Sequence, residues 1–170
     1  MREVFVSRLG LDSSTNSYVV VLQEKEGARL LPIWIGQPEA ESIVLHMHNV
    51  KRARPLTHDL VRSLIVGLHA QLRRVNITRV EDRTYFAELQ LVHEGKVVHI
   101  DARPSDSIAI ALRLDAPIFA AEELLVDPGA DDEADEEEST PDFSASAGSG
   151  DVPSEDLSDA ELQHAGDCPC

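Results

Sequence analysis

Two carboxylates, a guanidinium and a hydroxyl group are concentrated in one short stretch of this sequence. The stretch reads Asp101-Ala102-Arg103-Pro104-Ser105-Asp106 and lies where a predicted strand leads into a predicted helix. Strand alternation predicts that Asp101 and Arg103 share one face. Ser105 is a favourable N-cap, and Asp106 lies where the positive end of a helix stabilises an anion. The stretch therefore either starts a helix well or holds a metal ion or a phosphate group.

The elements that must position these residues form a pattern that occurs twice. The first set has predicted strands at 4–11, 18–23 and 29–35 and a helix at 38–48, and the second has strands at 74–80, 84–92 and 96–102 and a helix after Ser105. We therefore predict an α+β fold of duplicated strand-strand-strand-helix halves, with helices packed on a mainly antiparallel sheet. Chance similarity of two hairpin-rich halves is the alternative.

A basic loop between the two sets leads into a third predicted helix. The loop contains Lys51, Arg52 and Arg54, and Thr57 is the predicted cap of the helix that follows. The helix carries apolar residues at helical spacing, which predict one buried stripe. These are Leu60, Val61, Leu64, Ile65 and Leu68. All three predicted helices have a carboxylate in the first turn, namely Glu39, Asp59 and Asp106, and helix polarity alone explains any one of them.

Charge divides the chain into two parts. Residues 1–126 contain all 15 Lys and Arg against 16 Asp and Glu, whereas residues 127–170 contain 15 acidic residues and no basic one. The first part has enough Val, Ile and Leu for one domain. The second part has too little apolar area to offset the entropy of ordering, so we predict a disordered acidic tail. A solubilising role for this tail is the simplest expectation. Binding back onto the basic loop, in competition with phosphate, is the alternative.

Cysteine usage and hydropathy bear on location. The two cysteines, Cys168 and Cys170, lie at the end of the acidic tail, so the predicted domain has no disulfide framework. With His164 they offer three ligands for a soft metal ion, but free thiols are the preferred interpretation. No run is long and apolar enough to cross a bilayer, and the start of the sequence does not resemble a targeting segment. We expect a cytoplasmic protein.

Three separated blocks of the sequence resemble the signature blocks of the bifunctional nuclease domain family. The blocks are Leu31-Pro32-Ile33-Trp34-Ile35-Gly36 with Glu39-Ala40, then Arg54-Pro55-Leu56-Thr57-His58-Asp59-Leu60, and then Asp101 to Ala109. The resemblance covers about residues 1–126. It implies an α+β domain of duplicated halves, often dimeric, for which DNase and RNase activity is described in some members. The family's blocks correspond here to Glu39, His58, Asp59, Asp101, Arg103, Ser105 and Asp106.

Residue chemistry is compatible with a metal-assisted nuclease. Glu39, Asp59, Asp101 and Asp106 offer the hard oxygen ligands that Mg²⁺ and Mn²⁺ prefer. The candidate catalytic residues are His58, Asp59, Asp101 and Asp106, with His99 as an alternative base. The candidate substrate-binding residues are Arg103, Ser105, Lys51, Arg52 and Arg54. A structural salt bridge between Asp101 and Arg103 is about as well supported as catalysis.

Two functions therefore remain open at the level of sequence. The first is a nuclease that acts on DNA, RNA or both, and that is a homodimer or another homo-oligomer if it follows the family. The second is a non-enzymatic regulatory or protein-interaction module, which the acidic balance and the lack of a short catalytic motif favour. The chain has a pI of about 4.6, whereas most nucleic-acid binders present a basic face.

Overall fold

The structure is a computed structural model that describes residues 1–128. This part of the chain forms a seven-stranded sheet and three helices. The strands are β1 (Arg2–Asp12), β2 (Ser17–Glu24), β3 (Leu30–Ile35), β4 (Gln71–Glu81), β5 (Thr84–His93), β6 (Lys96–Ala102) and β7 (Ile118–Ala120). The helices are α1 (Gln37–Met47), α2 (Thr57–Gly67) and α3 (Pro104–Arg113), and a 3₁₀ turn at Glu122–Leu124 follows β7. The six predicted strands and three predicted helices are present, and β7 was not predicted.

The strand order is β3-β2-β1-β7-β4-β5-β6. Within each half, consecutive strands pair antiparallel, so β1 to β3 and β4 to β6 each form a meander. The short strand β7 joins the halves by pairing antiparallel with β1 and parallel with β4. The prediction of a mainly antiparallel sheet is confirmed. The two halves have the same connectivity, as a duplication requires, while their common origin stays a hypothesis.

Tight turns fix the register of the second meander. Asp82 and Arg83, between β4 and β5, have φ angles of 47° and 62°, and Glu94 and Gly95, between β5 and β6, have 49° and 74°. Two central residues with positive φ are the mark of the type I′ turn, whose twist matches that of antiparallel strands. The register of β6 is thereby fixed, and with it the point at which the chain enters α3.

The helices cover one face of the sheet. Helix α3 packs on β4 and β5 and contacts both α1 and α2, while α1 also lies against β2. Fully buried residues such as Leu22, Ile43, Ile77 and Ile108 fill the space between the two layers. Strand residues next to the buried ones point to the other face, because side chains alternate along a strand. Trp34, which follows buried Ile33, is 53% exposed on that open face.

The prediction of which residues of α2 are buried is wrong for its main residues. Leu60, Leu64 and Leu68 are 52%, 54% and 65% exposed, whereas His58 and Ile65 are buried. The buried side of α2 therefore follows positions 58, 61 and 65, which also have helical spacing. Sequence periodicity did not reveal this choice because His58 is polar, and only its hydrogen-bond partners make its burial favourable.

Both predicted helix caps also differ from the structure. Helix α3 begins at Pro104 with Arg103 as the N-cap, so Ser105 is a buried residue inside the first turn rather than the cap. Proline is favoured at the first helical position because its missing N–H would lack a helical partner there. In α2 the N-cap is Leu56 rather than Thr57, and its N–H donates to Oδ2 of Asp59 at 2.8 Å.

Within residues 1–128, no helix has both the length and the apolar character needed to span a membrane. The predictions for the acidic tail, including its disorder, Cys168 and Cys170, fall on residues that are almost all outside the described part of the chain.

Candidate functional site

Arg103 links carboxylates from two helices. Its Nη2 donates to Oε1 of Glu39 at 2.7 Å and to Oδ1 of Asp106 at 3.1 Å, and its Nε donates to Oδ2 of Asp106 at 2.8 Å. Glu39 lies in the first turn of α1 and Asp106 in the first turn of α3. The Arg103 side chain is 67% exposed, and its Nη1 makes no hydrogen bond with the described residues. A guanidinium held in this way can offer its remaining N–H groups to an anion.

Gly36 makes room for the carboxylate of Glu39. A Cβ atom added at Gly36 would collide with Oε2 of Glu39. The φ angle of Gly36 is −73°, so its backbone conformation is open to any residue. The absence of a side chain at Gly36 therefore leaves space for the Glu39 carboxylate and is not required by the backbone conformation. Oε2 accepts no hydrogen bond within residues 1–128, whereas Oε1 accepts from Arg103.

His58 is a buried residue that holds Asp106 from the inner side. Its Nε2 lies 3.0 Å from Oδ1 of Asp106, and its Nδ1 lies 2.8 Å from Oγ of Ser42 on α1. An ionised carboxylate only accepts, so Nε2 carries the proton, and in the neutral ring Nδ1 accepts from the Ser42 hydroxyl. Both ring nitrogens are therefore engaged within the protein. This geometry gives His58 a positioning role toward Asp106 rather than that of a free general base.

A buried ion pair continues the network on the far side of Ser42. Nη2 of Arg113 donates to Oγ of Ser42 at 3.0 Å, and Nε of Arg113 donates to Oδ1 of Asp59 at 2.6 Å. The Arg113 side chain is 3% exposed, and that of Asp59 is 37% exposed. Asp59 is therefore bound on both oxygens, by Arg113 and by the N–H of Leu56. One chain of hydrogen bonds connects α1, α2 and α3.

The electrostatics of the network favour ionised carboxylates. Burial acts to raise the pKa of Asp106, but hydrogen bonds from Arg103 and His58 outweigh it and hold the pKa below its ordinary value. Burial acts on Asp59 in the same way, and hydrogen bonds from Arg113 and Leu56 hold its pKa low. The pKa of Arg103 is raised by its hydrogen bonds to Asp106 and Glu39. At neutral pH Asp106 and Arg103 thus act as a fixed pair of opposite charges.

The structure does not bring Asp101 into this network. In the β5–β6 ladder Asp101 pairs with Glu88, and its neighbour Ala102 pairs with buried Ala87. Asp101 therefore points to the open face of the sheet, opposite the helices. His99 points to the same face, where its Nδ1 lies 2.9 Å from Oε1 of Glu88. The predicted grouping of Asp101 and His99 with the helix-start carboxylates is thus not observed.

Strand alternation also mispredicted Arg103. Strand β6 ends at Ala102, and Arg103 is already the N-cap of α3, so the period of two does not apply to it. Its guanidinium reaches the helix side and not Asp101, and the structural salt bridge suggested by the sequence is not formed. Ser105 is buried, so it does not face solvent as a substrate-binding residue would.

The basic loop forms one wall of an open cavity of about 320 Å³. Arg52 and Arg54 line this cavity, and Lys51 is exposed next to them. Arg52 donates through Nη2 to Oε1 of Glu41 on α1 at 2.8 Å. The cavity also reaches Asp59 and Arg113, so its inner end is the ion pair that closes the network.

The carboxylates predicted to bind Mg²⁺ or Mn²⁺ do not fit a divalent ion as they are placed. Both oxygens of Asp106 and both oxygens of Asp59 already accept hydrogen bonds, and Asp101 lies on the other face of the sheet. Arg103 occupies the position between Glu39 and Asp106 that a shared cation would take. Within residues 1–128, no three or more His, Cys, Asp or Glu side chains are grouped as a metal site.

Sequence reasoning missed Ser42 and Arg113, the two residues that connect the halves of the network. Arg113 lies two helical turns after Asp106, on the side of α3 that also carries Ala109 and Ile110, all of which are buried or partly buried. A charged residue that continues an apolar stripe is a signal that a buried partner exists. Ser42 follows Glu39 by three residues, but a serine in an amphipathic helix carries no comparable signal.

Comparison with known proteins gives a consistent result. The profile described as "Bifunctional nuclease domain" matches residues 20–133. An uncharacterized protein of Mycobacterium tuberculosis strain H37Rv is 43% identical over 142 residues, which cover 82% of this chain and 85% of the relative. "Bifunctional nuclease 2" of Arabidopsis thaliana is 32% identical over 117 residues, which cover 67% of this chain and 36% of the relative. "Bifunctional nuclease 1" of the same plant is 31% identical over 121 residues, which cover 69% of this chain and 37% of the relative.

Proposed function

The chain belongs to the bifunctional nuclease domain family, and from this we propose that it hydrolyses phosphodiester bonds in DNA, RNA or both. The observation that carries the proposal is the exposed guanidinium of Arg103, fixed between Glu39 and Asp106 with Nη1 left for a ligand. The two N–H groups of Nη1 can donate to phosphate oxygens, and two carboxylates that fix the orientation of the guanidinium reduce the entropy lost on binding.

The residues of the cluster have separate roles in the proposed reaction. Arg103 binds the phosphate and stabilises the charge that develops on its oxygens. Oε2 of Glu39, which accepts no hydrogen bond from the described residues, takes the proton of the attacking water. The water oxygen bonds to phosphorus, the ester P–O bond breaks, and the leaving oxygen takes a proton from solvent. Asp106 orients Arg103, and His58 in turn orients Asp106.

The predicted requirement for Mg²⁺ or Mn²⁺ stays a prediction. The formal charges of Glu39, Asp106 and Arg103 sum to −1, so the cluster as a whole does not attract a phosphate, and only the remaining N–H groups of Arg103 favour one. A required ion would supply positive charge, and the comparison of activity with added ion and with chelator measures that requirement directly.

The test is a cleavage assay of the full chain on single-stranded and double-stranded DNA and RNA. We expect Arg103→Gln to lower the cleavage rate by about 100-fold, the scale of losing one positioned group that stabilises transition-state charge. Asp106→Asn is expected to lower it as well, because it weakens the anchoring of Arg103. Glu81→Gln is the matched control, since Glu81 forms an exposed ion pair with Arg79 elsewhere on the sheet.

Two results would count against the proposed site. Equal rates for Arg103→Gln and the unsubstituted protein would mean that the cleavage, if present, does not occur at this cluster. Loss of activity in Asp101→Asn, with Asp106→Asn unaffected, would place the chemistry on the open face of the sheet. Circular dichroism of each variant shows whether it is folded.

A protein-interaction role is the second candidate function, and one observation favours it. Leu60, Leu64 and Leu68 form a half-exposed apolar stripe along α2. Apolar side chains grouped on a surface in this way often mark a contact with another protein. The predicted homodimer is proposed on the same ground. Light scattering of the unsubstituted protein and of Leu64→Gln tests it, because a dimer formed through the stripe dissociates in the variant.

A further inference from the structure

The open cavity behind the basic loop has the features of a small-molecule site. Its volume of about 320 Å³ is at the lower end of the range for ligand pockets, which suits one nucleotide unit rather than an oligonucleotide. Its residues come from the end of α1, from the loop at 50–56, and from Asp59 and Arg113 at the inner end. Hydrogen bonds from the N–H of Val50 to the carbonyl of Leu45 and from the N–H of Asn49 to the carbonyl of His46 fix the start of the loop on α1.

The charges that face the cavity favour an anion. Arg52, Arg54 and Arg113 contribute three positive charges, whereas Asp59, paired with Arg113, and Glu41, paired with Arg52, contribute two negative charges. Asp59 accepts on both oxygens from Arg113 and Leu56, and its pKa lies below the ordinary value, so it stays a fixed anion that does not need a ligand. The surplus is therefore one positive charge, that of Arg54, which forms no ion pair with the described residues.

The donors that remain for a ligand lie at the mouth of the cavity. Arg113 uses four of its five N–H groups in bonds to Asp59, Ala109 and Ser42, so it has little left to offer a ligand. Arg54 makes no side-chain hydrogen bond or ion pair with the described residues, and Arg52 uses only Nη2, toward Glu41. Two guanidinium groups with unused N–H groups can together bind the oxygens of a terminal phosphate.

One wall of the cavity is apolar. The apolar residues that line the cavity, called here the apolar wall, are Leu45, Val50, Ala53, Pro55 and Leu56. A free phosphate ion would gain nothing from this wall, whereas a base or ribose attached to the phosphate would remove apolar surface from water. The combination of an apolar wall with two arginines at the mouth thus favours a phosphate that carries an organic group over phosphate alone.

We propose that this cavity binds a nucleoside monophosphate, with the phosphate on Arg52 and Arg54 and the nucleoside against the apolar wall. The choice of a nucleoside among phosphate monoesters rests on the proposed function, because phosphodiester hydrolysis leaves a nucleotide with a terminal phosphate. The inner end of the cavity is the Asp59–Arg113 pair, from which hydrogen bonds lead through Ser42 and His58 to Asp106. The cavity and the Arg103 cluster are therefore two separate sites joined by one network.

Calorimetric titration of the full chain tests the proposal without any cleavage reaction. The ligands are adenosine 5′-monophosphate, adenosine and inorganic phosphate. We expect the monophosphate to bind more tightly than either of the other two, because only it uses both the arginines and the apolar wall. Arg54→Gln should raise its Kd by about tenfold or more, the scale of one hydrogen-bonded ion pair to phosphate. Arg8→Gln, which removes an exposed arginine of β1, should leave the Kd unchanged.

Each alternative result overturns a defined part of the proposal. Adenosine binding as tightly as the monophosphate would remove the role of the arginines, and inorganic phosphate binding as tightly would remove the role of the apolar wall. An equal loss in Arg54→Gln and Arg8→Gln would mean nonspecific attraction. Binding that depends on Arg54 in a protein without nuclease activity would support the site and refute the proposed function. Cleavage by a protein that does not bind the monophosphate would refute the site alone.

Discussion

The Asp59–Arg113 ion pair makes an asymmetric prediction about stability. The Arg113 side chain is 3% exposed and that of Asp59 is 37% exposed. Water can therefore hydrate the Asp59 carboxylate when Arg113 is removed, but it cannot reach the Arg113 guanidinium when Asp59 is removed. In Asp59→Asn the guanidinium stays buried without its counter-charge. In Arg113→Met the carboxylate of Asp59 turns to solvent and keeps its hydrogen bond from Leu56. We therefore expect Asp59→Asn, which removes the more exposed partner, to lower the free energy of unfolding more than Arg113→Met does.

The magnitudes follow from what each substitution leaves behind. Breaking a buried ion pair so that one charge stays buried costs about 3–5 kcal/mol. Asp59→Asn is expected near 3 kcal/mol, because an amide oxygen can still accept from Arg113. In Arg113→Met, the carbonyls of Ser42 and Ala109 lie inside α1 and α3, where the helices supply their own N–H partners. The remaining loss of a hydrogen bond from a charged donor is about 1.5–2 kcal/mol, the lower end of its range, because water replaces Arg113 at the carboxylate of Asp59.

Urea unfolding followed by far-ultraviolet circular dichroism measures these costs. With an m value of about 2 kcal/mol/M, Asp59→Asn lowers the midpoint by about 1.5 M and Arg113→Met by about half as much. Glu81→Gln is the matched control, since it removes a carboxylate from an ion pair of 2.7 Å to Arg79 in which both side chains are more than half exposed. It should change stability by less than about 0.5 kcal/mol. A larger loss for Arg113→Met than for Asp59→Asn would refute the reasoning.

Three further predictions concern other positions. Asp106→Asn should make the free energy of unfolding depend less on pH in the acid range. The pKa of Asp106 is lowered on folding, so its contribution to stability is present above the unfolded pKa and is lost as pH falls through the folded pKa. Urea midpoints at pH 3 to 6 measure this difference. Gly36→Ala should cost less than about 1 kcal/mol but lower nuclease activity, because the added Cβ displaces the Glu39 carboxylate; unchanged activity would contradict the role of Glu39. Leu64→Gln should change the urea midpoint little, whereas Ile65→Ala should cost about 2–5 kcal/mol; similar midpoints would contradict the assigned buried side of α2.

Most of the fold could be predicted because its signals are local. The alternation in the strands and the turn residues between them gave six strands in the right places. Strand β7 was missed because three residues are too few for a periodic pattern, and it is held by pairing with β1 and β4 from both halves. The buried side of α2 was mispredicted for a similar reason, since the burial of His58 depends on Ser42 and Asp106, which are distant in sequence.

The candidate site could be predicted only in part. First-turn carboxylates are a local signal, and Glu39, Asp59 and Asp106 do lie in first turns. Their partners are a property of tertiary structure: Arg103 joins Glu39 to Asp106, while Arg113 takes Asp59. Which face of the sheet a residue occupies also depends on where the strand ends, and a strand end that falls between residues 102 and 103 separates Asp101 from Arg103.

The position of β7 has a consequence for biosynthesis. The ribosome delivers the first meander, then the second, and only afterwards residues 118–120, the strand that lies between them in the sheet. Until that strand has left the exit tunnel, β1 and β4 each present an unpaired edge to the cell, and such edges recruit strands from other chains. Vectorial synthesis therefore leaves the nascent protein vulnerable to mispairing until the last few residues of the sheet arrive.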